Sequence, residues 1–164
     1  MRFQGQVPSV RSMLADGVDE SCPSVVAETV PVRTAASNAV VVGRLLAAGD
    51  SDDEGWRFGV LQTVDDYQSC MRRGGVGLAR QVFAAEPPTT GSVRLDAAFA
   101  ALAEHLARTD GWECPGWALD PARRVAGVWY PCVPRIFRAE ADAESPEAFR
   151  VRGIMITGSS LARA

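Results

Sequence analysis

The residues able to do chemistry are few and scattered. The chain of 164 residues holds one histidine and four cysteines. His105 falls inside Leu102-Ala103-Glu104-His105-Leu106, beside the apolar stripe of a helix. Any paired-histidine metal site, or a Ser-His-Asp or Cys-His scheme, would therefore have to be built around this one imidazole. Cys22, Cys70, Cys114 and Cys132 are too widely spaced for the short ligand pairs of structural zinc sites, and C-x-x-C is missing. Reduced thiols are the expectation, with Cys70 a small buried hydrophobe on a helix. Cys114 and Cys132 bracket a Pro- and Trp-rich segment, which leaves a pairing in space open. Gly158-Ser159-Ser160 matches the Gly-Ser that opens a nucleotidyltransferase site, but no Asp or Glu follows it to bind metal. Gly74-Gly75-Val76-Gly77-Leu78 offers backbone amides before a helix, yet fits neither G-x-x-x-x-G-K-[ST] nor G-x-G-x-x-G, and reads as a helix-to-helix turn. Asp50, Asp52, Asp53, Glu54, Asp65 and Asp66 lack the EF-hand pattern. They read as a solvated acidic helix start, with docking of a basic partner as a secondary reading. The expectation is a protein with no catalytic residues, no metal site and no cofactor.

The elements that would position these residues are helical. Composition is that of one globular domain, 47% hydrophobic and 23% charged with a net charge of -3, which is not the footprint of an autonomous nucleic-acid binder. All 17 basic residues are arginine, a bias that fits a GC-rich genome while leaving planar donor forks suited to carboxylates. No apolar run approaches the roughly 20 residues of a transmembrane helix, and no signal peptide is recognisable, so the expected location is the cytoplasm, off the membrane. Residues 1–36 form a poorly determined segment with a short helix at Pro8 to Ala15. A single helical domain is expected over 37–164.

Ser37 or Asn38 can cap a buried helix, Ala39 to Ala48, that ends at Gly49, although Val40-Val41-Val42 would also suit a strand. A second helix starts near Asp53, where acidic residues complement its dipole, and carries Trp56, Val60, Val64, Tyr67 and Met71 on one face. It stops at Gly74-Gly75, and a short helix from about Val76 to Ala85 follows. Ser92 caps the clearest helix, with Leu95, Phe99, Leu102 and Leu106 in register and Gly111 at its end. Each large apolar side chain contributes about 1.5–3 kcal/mol on burial, and the Trp56 to Met71 face is the natural partner. Beyond residue 112, Trp112, Trp117, Trp129, Tyr130 and closely spaced prolines exclude long helices. Short helices at 121–127 and 146–152 are expected from Asp120-Pro121 and Ser145-Pro146, then an extended Ile154 to Thr157 and a last turn capped by Ser159 or Ser160. The fold class is thus mainly α: a compact helical domain with an irregular Trp- and Pro-rich C-terminal region of short helices.

Several segments resemble a family of small actinobacterial proteins. They are Glu86-Pro87-Pro88-Thr89-Thr90-Gly91, the helix from Leu95 to Leu106, Pro115-Gly116-Trp117, Ser145-Pro146-Glu147-Ala148-Phe149-Arg150-Val151-Arg152-Gly153-Ile154 and Leu161-Ala162-Arg163-Ala164. The likeness covers about residues 42–164. Longer members of that family often carry an N-terminal helix-turn-helix, and their genes often adjoin one for a nucleotidyltransferase-like toxin. Residues 1–41 show no convincing helix-turn-helix here. The resemblance implies an antitoxin-like or regulator-like partner protein and transfers no catalytic residue.

Two readings follow. The first is a non-enzymatic protein-binding module that docks and masks a nucleotidyltransferase-like toxin through Trp112, Trp117, Trp129, Phe149, Arg150 and Arg152, since Trp and Arg carry much of the energy of interfaces. The alternative is a DNA-binding transcriptional regulator, with a basic face of Arg123, Arg124, Arg135, Arg138, Arg150 and Arg152 and a steep dependence on salt. Oligomeric state is left open by the sequence.

Overall fold

The structure, a computed structural model, describes residues 32–162. The helix expected at Pro8 to Ala15 lies outside them. The architecture is mainly α, as the periodicity predicts, and among the described residues the single β feature is an isolated parallel bridge between Trp129 and Ile154. No helix among them is long and apolar enough to cross a membrane.

Helix α1 spans Ala35–Ala47. It begins a turn earlier than Ser37 or Asn38 would place it. Thr34 is the cap, and Ser37 at N3 returns the bond in a capping box, so a hydroxyl expected to start the helix closes its first turn instead. Asn38 points inward. Its amide donates to Thr63 Oγ1 and Asp66 Oδ2, both at 2.9 Å, while the Thr63 hydroxyl donates to the Gly59 carbonyl. This buried polar network is fully satisfied and fixes α1 against the next helices. Gly49, at φ 99°, takes the left-handed position beyond the C-cap that glycine was expected to fill.

Helix α2, Asp52–Gly55, is capped reciprocally by Ser51 and Glu54 and runs without a break through a π turn, Trp56–Val60, into α3, Leu61–Ala79. Trp56, Val60, Val64 and Tyr67 are buried along one face as their spacing predicts, and Met71 is half-buried. Two glycines on this rod decide how closely its neighbours approach. A Cβ at Gly55 would overlap Leu95, and one at Gly59 would overlap Val42 and press on the Phe99 ring. Helices α1 and α4 therefore meet the rod at van der Waals contact with its backbone. At Gly74 and Gly75 the helix breaks, Gly75 at φ 63°, then resumes and tightens into a 3₁₀ turn at Arg80–Phe83.

Helix α4, Val93–Asp110, is capped by Ser92 and ended by the left-handed Gly111. It is more deeply interior than one stripe requires: Leu95, Phe99 and Leu102 are fully buried, and so are Ala97, Ala98, Ala100, Ala101 and Ala103 around the other faces. Alanine leaves room for neighbours on every side. The π turn and α2 cover one side, and the C-terminal region covers the rest through the 3₁₀ turn Gly116–Leu119 and helix α6, Glu147–Arg150. Between these lie a 3₁₀ turn at Arg135–Phe137 and helix α5, Arg138–Glu144, neither foreseen from the sequence.

The helix expected at 121–127 does not form. Asp120 spends its side chain on the Ala122 N–H and its carbonyl on Arg123, which makes a turn, and Gly127 at φ 96° stops any continuation. After α6, Gly153 at φ 77° turns the chain into the extended Ile154 to Thr157, which Ser145 clamps by accepting from Ile156 N–H at 2.7 Å and donating to its carbonyl. The last 3₁₀ turn, Gly158–Leu161, is capped by Thr157 rather than by Ser159 or Ser160.

The glycine contact gives a direct test. Gly59→Ala must displace Val42 or shift the α1 backbone, and overpacking of this kind costs about 1–3 kcal/mol. A urea-unfolding midpoint lowered to that extent at unchanged slope is the expected result; Gly77→Ala, whose Cβ meets nothing, serves as the control.

Candidate functional site

Five of the six residues expected to face a partner are committed to the interior. Phe149 is fully buried, edge-on to Trp56 with ring centres 6.2 Å apart and 6.0 Å from His105. Trp129 is also buried, edge-on to Trp56 at 5.9 Å. Trp112 is half-buried, stacks on Phe83 at 5.9 Å and donates its indole N–H to the Tyr67 hydroxyl at 2.9 Å. The Trp117 indole N–H donates to the Phe83 carbonyl, with Arg123 over its ring at 5.3 Å. The tryptophans thus build the inner layer that holds the irregular region to the helices, as large rings with one polar handle do.

Arg152 is the sharpest correction. Its side chain is 6% exposed and donates to Glu104 Oε2 at 2.6 Å, to the Ala148 carbonyl at 2.7 Å and to the Ala118 carbonyl at 2.5 Å. The other Glu104 oxygen takes Arg108 at 2.7 Å, and Arg108 reaches Glu147 at 2.9 Å. Arg152 cannot reach a partner because three elements of its own chain use its donors. Arg150, two residues back, is exposed. Of the basic face expected for DNA, Arg124, Arg135, Arg138 and Arg150 stay exposed, while Arg123 and Arg152 are withdrawn. Arg123 pairs with Glu86 at 2.7 Å, Arg152 is interior, and Arg138 lies over the Tyr130 ring at 4.6 Å.

The titratable groups are arranged for structure. Tyr67 donates to Asp110 Oδ2 at 2.6 Å and accepts from Trp112, and burial, reinforced by Asp110, drives its phenol far above the usual tyrosine range. Burial lowers the His105 imidazole against the opposing pull of Asp110. Cys70, Cys114 and Cys132 are free thiols, and burial raises both Cys114 and Cys132. Cys114 and Cys132 do not pair: the first leans on the Pro115 carbonyl and the second on the Asp53 carbonyl. Among the described residues, no group of three or more His, Cys, Asp and Glu is placed to hold a metal ion.

The opening with the most varied chemistry lies elsewhere. A cleft of about 320 Å³ runs between the π turn and the C-terminal loops, lined by Trp56, Arg57 and Leu61 on one side and Pro131 to Pro134 and Phe137 on the other. Glu140, Thr157, Ser159 and Ser160 complete its walls. Two backbone irregularities converge on it. One is the π turn itself, a form that recurs at functional sites. The other is Cys132, left-handed at φ 54°, held by its N–H to Asp53 Oδ1 at 3.2 Å. Thr157 Oγ1 lies 3.1 Å from Ser159 Oγ and 2.9 Å from Ser160 Oγ, which makes a hydroxyl lip.

No family model, no curated protein and no solved structure matches this chain. The site must therefore be read from its own residues. Beside the lining, Phe58 is 58% exposed next to Arg57, and Ile136 is 81% exposed next to Phe137, itself 45% exposed. Sequence reasoning passed over all of these. The signal was Arg135-Ile136-Phe137-Arg138, an apolar pair framed by arginines just after a proline, with no helical stripe to join.

Arg152→Ala leaves Glu104 buried with Arg108 alone and strands the Ala118 and Ala148 carbonyls, and removing one side of such a buried pair costs about 3–5 kcal/mol, whereas Arg150→Ala stays within about 0.5 kcal/mol of the parent by chemical denaturation. Tyr67 gives a pH signature. Its folded phenol holds its proton above the unfolded value of about 10, so its contribution is complete below that pH and lost as pH rises through and beyond it. Tyr67→Phe should cost about 1–2 kcal/mol at neutral pH through the stranded Trp112 and Asp110 groups, and should flatten the alkaline limb of a stability-versus-pH curve.

Proposed function

We propose that this chain is a non-enzymatic protein-binding module, an antitoxin-like partner of a nucleotidyltransferase-like toxin. The observation that supports binding is the exposure of Phe137 in the wall of a cleft and of Ile136 beside it in the chain, in a molecule whose tryptophans and buried polar groups, among the described residues, are used internally. Large apolar side chains kept in water beside a preformed concavity mark surfaces that associate. The partner's identity rests on the resemblance in residues 42–164. The expected interface is thereby moved from the tryptophans to the cleft and the loop around it, with exposed Arg135 in place of buried Arg152.

Co-purification of the tagged full chain with the product of its adjacent gene, followed by light scattering, tests this reading. A stoichiometric complex is expected, and Ile136→Glu should weaken it at least about tenfold, equal to 1.4 kcal/mol, without lowering thermal stability. Elution of the chain without that product overturns the assignment of partner.

A further inference from the structure

We infer that the break in α3 and the hollow beside Trp112 bind single-stranded nucleic acid, with phosphates on Arg72, Arg73 and Arg80 and a base against the indole. This surface is separate from the cleft and goes beyond the protein-binding reading above. Between Asp66 and Glu86 the chain has no Asp or Glu and carries these three arginines, all exposed. Among the described residues none of the three guanidiniums has a hydrogen bond, an ion pair or a ring contact, whereas Arg94, Arg108, Arg123 and Arg152 are each paired with a carboxylate. The chain as a whole has a net charge of -3, so any attraction for phosphate has to be local, and this run supplies it.

The break shapes the run for a strand. Helix α3 leaves helical geometry at Gly74 and Gly75, and a Cβ at Gly74 would lie 2.9 Å from the Leu78 Cβ, so the resumed turn sits directly against the break. Leu78 packs in turn against the core and anchors that turn. Arg72 and Arg73 before the break and Arg80 after it are thereby kept on one short stretch of surface. Between them Gly75 and Gly77 are bare: a Cβ at either would meet nothing within 4 Å, and a phosphate chain can approach the backbone there. Planar guanidinium forks match the oxygens of such a chain.

The hollow that Arg80 lines suits a base. It has a volume of about 340 Å³, and Gln81, Phe83, Trp112, Glu113 and Pro115 share its wall with Arg80. Trp112 already stacks on Phe83 and gives its N–H to Tyr67, so what the indole offers to the hollow is apolar ring. A flat ring beside an unpaired guanidinium is how proteins hold unpaired bases without regard to sequence, since every base has a π face. A duplex keeps those faces stacked inside, and an acidic peptide matches the arginines but not the ring. Gln81 donates to the Gly77 carbonyl at 3.4 Å and keeps its own oxygen, which together with Glu113 can accept from the exocyclic amine of a base. Glu113 in the wall and Asp110, which reaches the indole through Tyr67, keep their charge, and the three arginines outnumber them.

Fluorescence polarisation of labelled strands of about 12 deoxycytidines or cytidines against the full chain, over a series of salt concentrations, tests the inference. Binding of either strand is expected, with log affinity falling against log salt at a slope of about -2, since each single-strand phosphate contact contributes about -0.7. The double variant Arg72→Ala, Arg73→Ala should bring the slope to about -0.7 and weaken binding at low salt at least about tenfold, and Arg80→Glu should weaken it as much. Arg124→Ala and Arg150→Ala, on the basic face considered for DNA, should change neither quantity. A strand of the same length without bases should bind at least about tenfold more weakly than the cytidine strands. Should the double variant fail to fold by circular dichroism, Arg80→Glu and the baseless strand carry the test. The inference is overturned by no binding at low salt, by equal affinity for the baseless strand, or by affinities unchanged in the Arg72, Arg73 and Arg80 variants. It is equally overturned if Arg124→Ala or Arg150→Ala weakens binding as much, or if polyglutamate of equal charge displaces the strand as well as unlabelled strand does, since an acidic protein would then be the occupant.

Discussion

The ion pair between Glu104 and Arg152 sets the terms for the C-terminal half. Residues 112–162 hold no long helix, so they lack the repeating backbone bonds that make a helix self-supporting and must be fastened to something that has them. Arg152 does the fastening: one guanidinium joins the middle of α4, the end of α6 and the turn Gly116–Leu119. Both oxygens of Glu104 are used, by Arg152 and Arg108. A buried pair of this kind is tolerable because, among the described residues, no buried side-chain nitrogen or oxygen is left without a hydrogen-bond partner, and it specifies position more than it adds stability. The indoles then fill the space that this geometry defines, each edge or face set by a neighbour whose place is already determined.

The N-terminal half solves a different problem. Helices α1 and α4 approach a rod whose Gly55 and Gly59 carry no side chain, and the contact is close enough that Val42, Leu95 and Phe99 occupy the space a Cβ would need. The π turn falls in the same stretch, Trp56–Val60, and sends Trp56 inward against Trp129 and Phe149 while Arg57 and Leu61 reach the cleft. The segment that lets the helices pack also presents the lining of the opening. Folding and site are therefore linked within residues 55–61.

Much of the helical framework was legible because its signals are local. The Trp56 to Tyr67 stripe, the Ser92 cap, the breaks at Gly74-Gly75 and the left-handed ends at Gly49 and Gly111 depend on neighbours within one or two turns. The misses also have local causes. Thr34 outcompeted Ser37 as a cap by using it as the N3 partner, and Asp120 bonded its own turn instead of starting a helix. The cleft was not legible, because its walls come from residues 56–61 and 131–160, which only packing brings together.

Sequence alone determined that this is a mainly helical protein, where its major helices lie and that its tail is irregular, since capping chemistry and apolar spacing act over a few residues. Tertiary structure alone decided which side chains are available to a partner. Arg150 and Arg152 are two positions apart and chemically identical, yet one is in water and the other is enclosed by Glu104, 48 residues away. Arginine, tryptophan and phenylalanine serve cores and interfaces equally well, so their type carries no sign of which. Burial does, and burial is a property of distant chain segments meeting around one side chain.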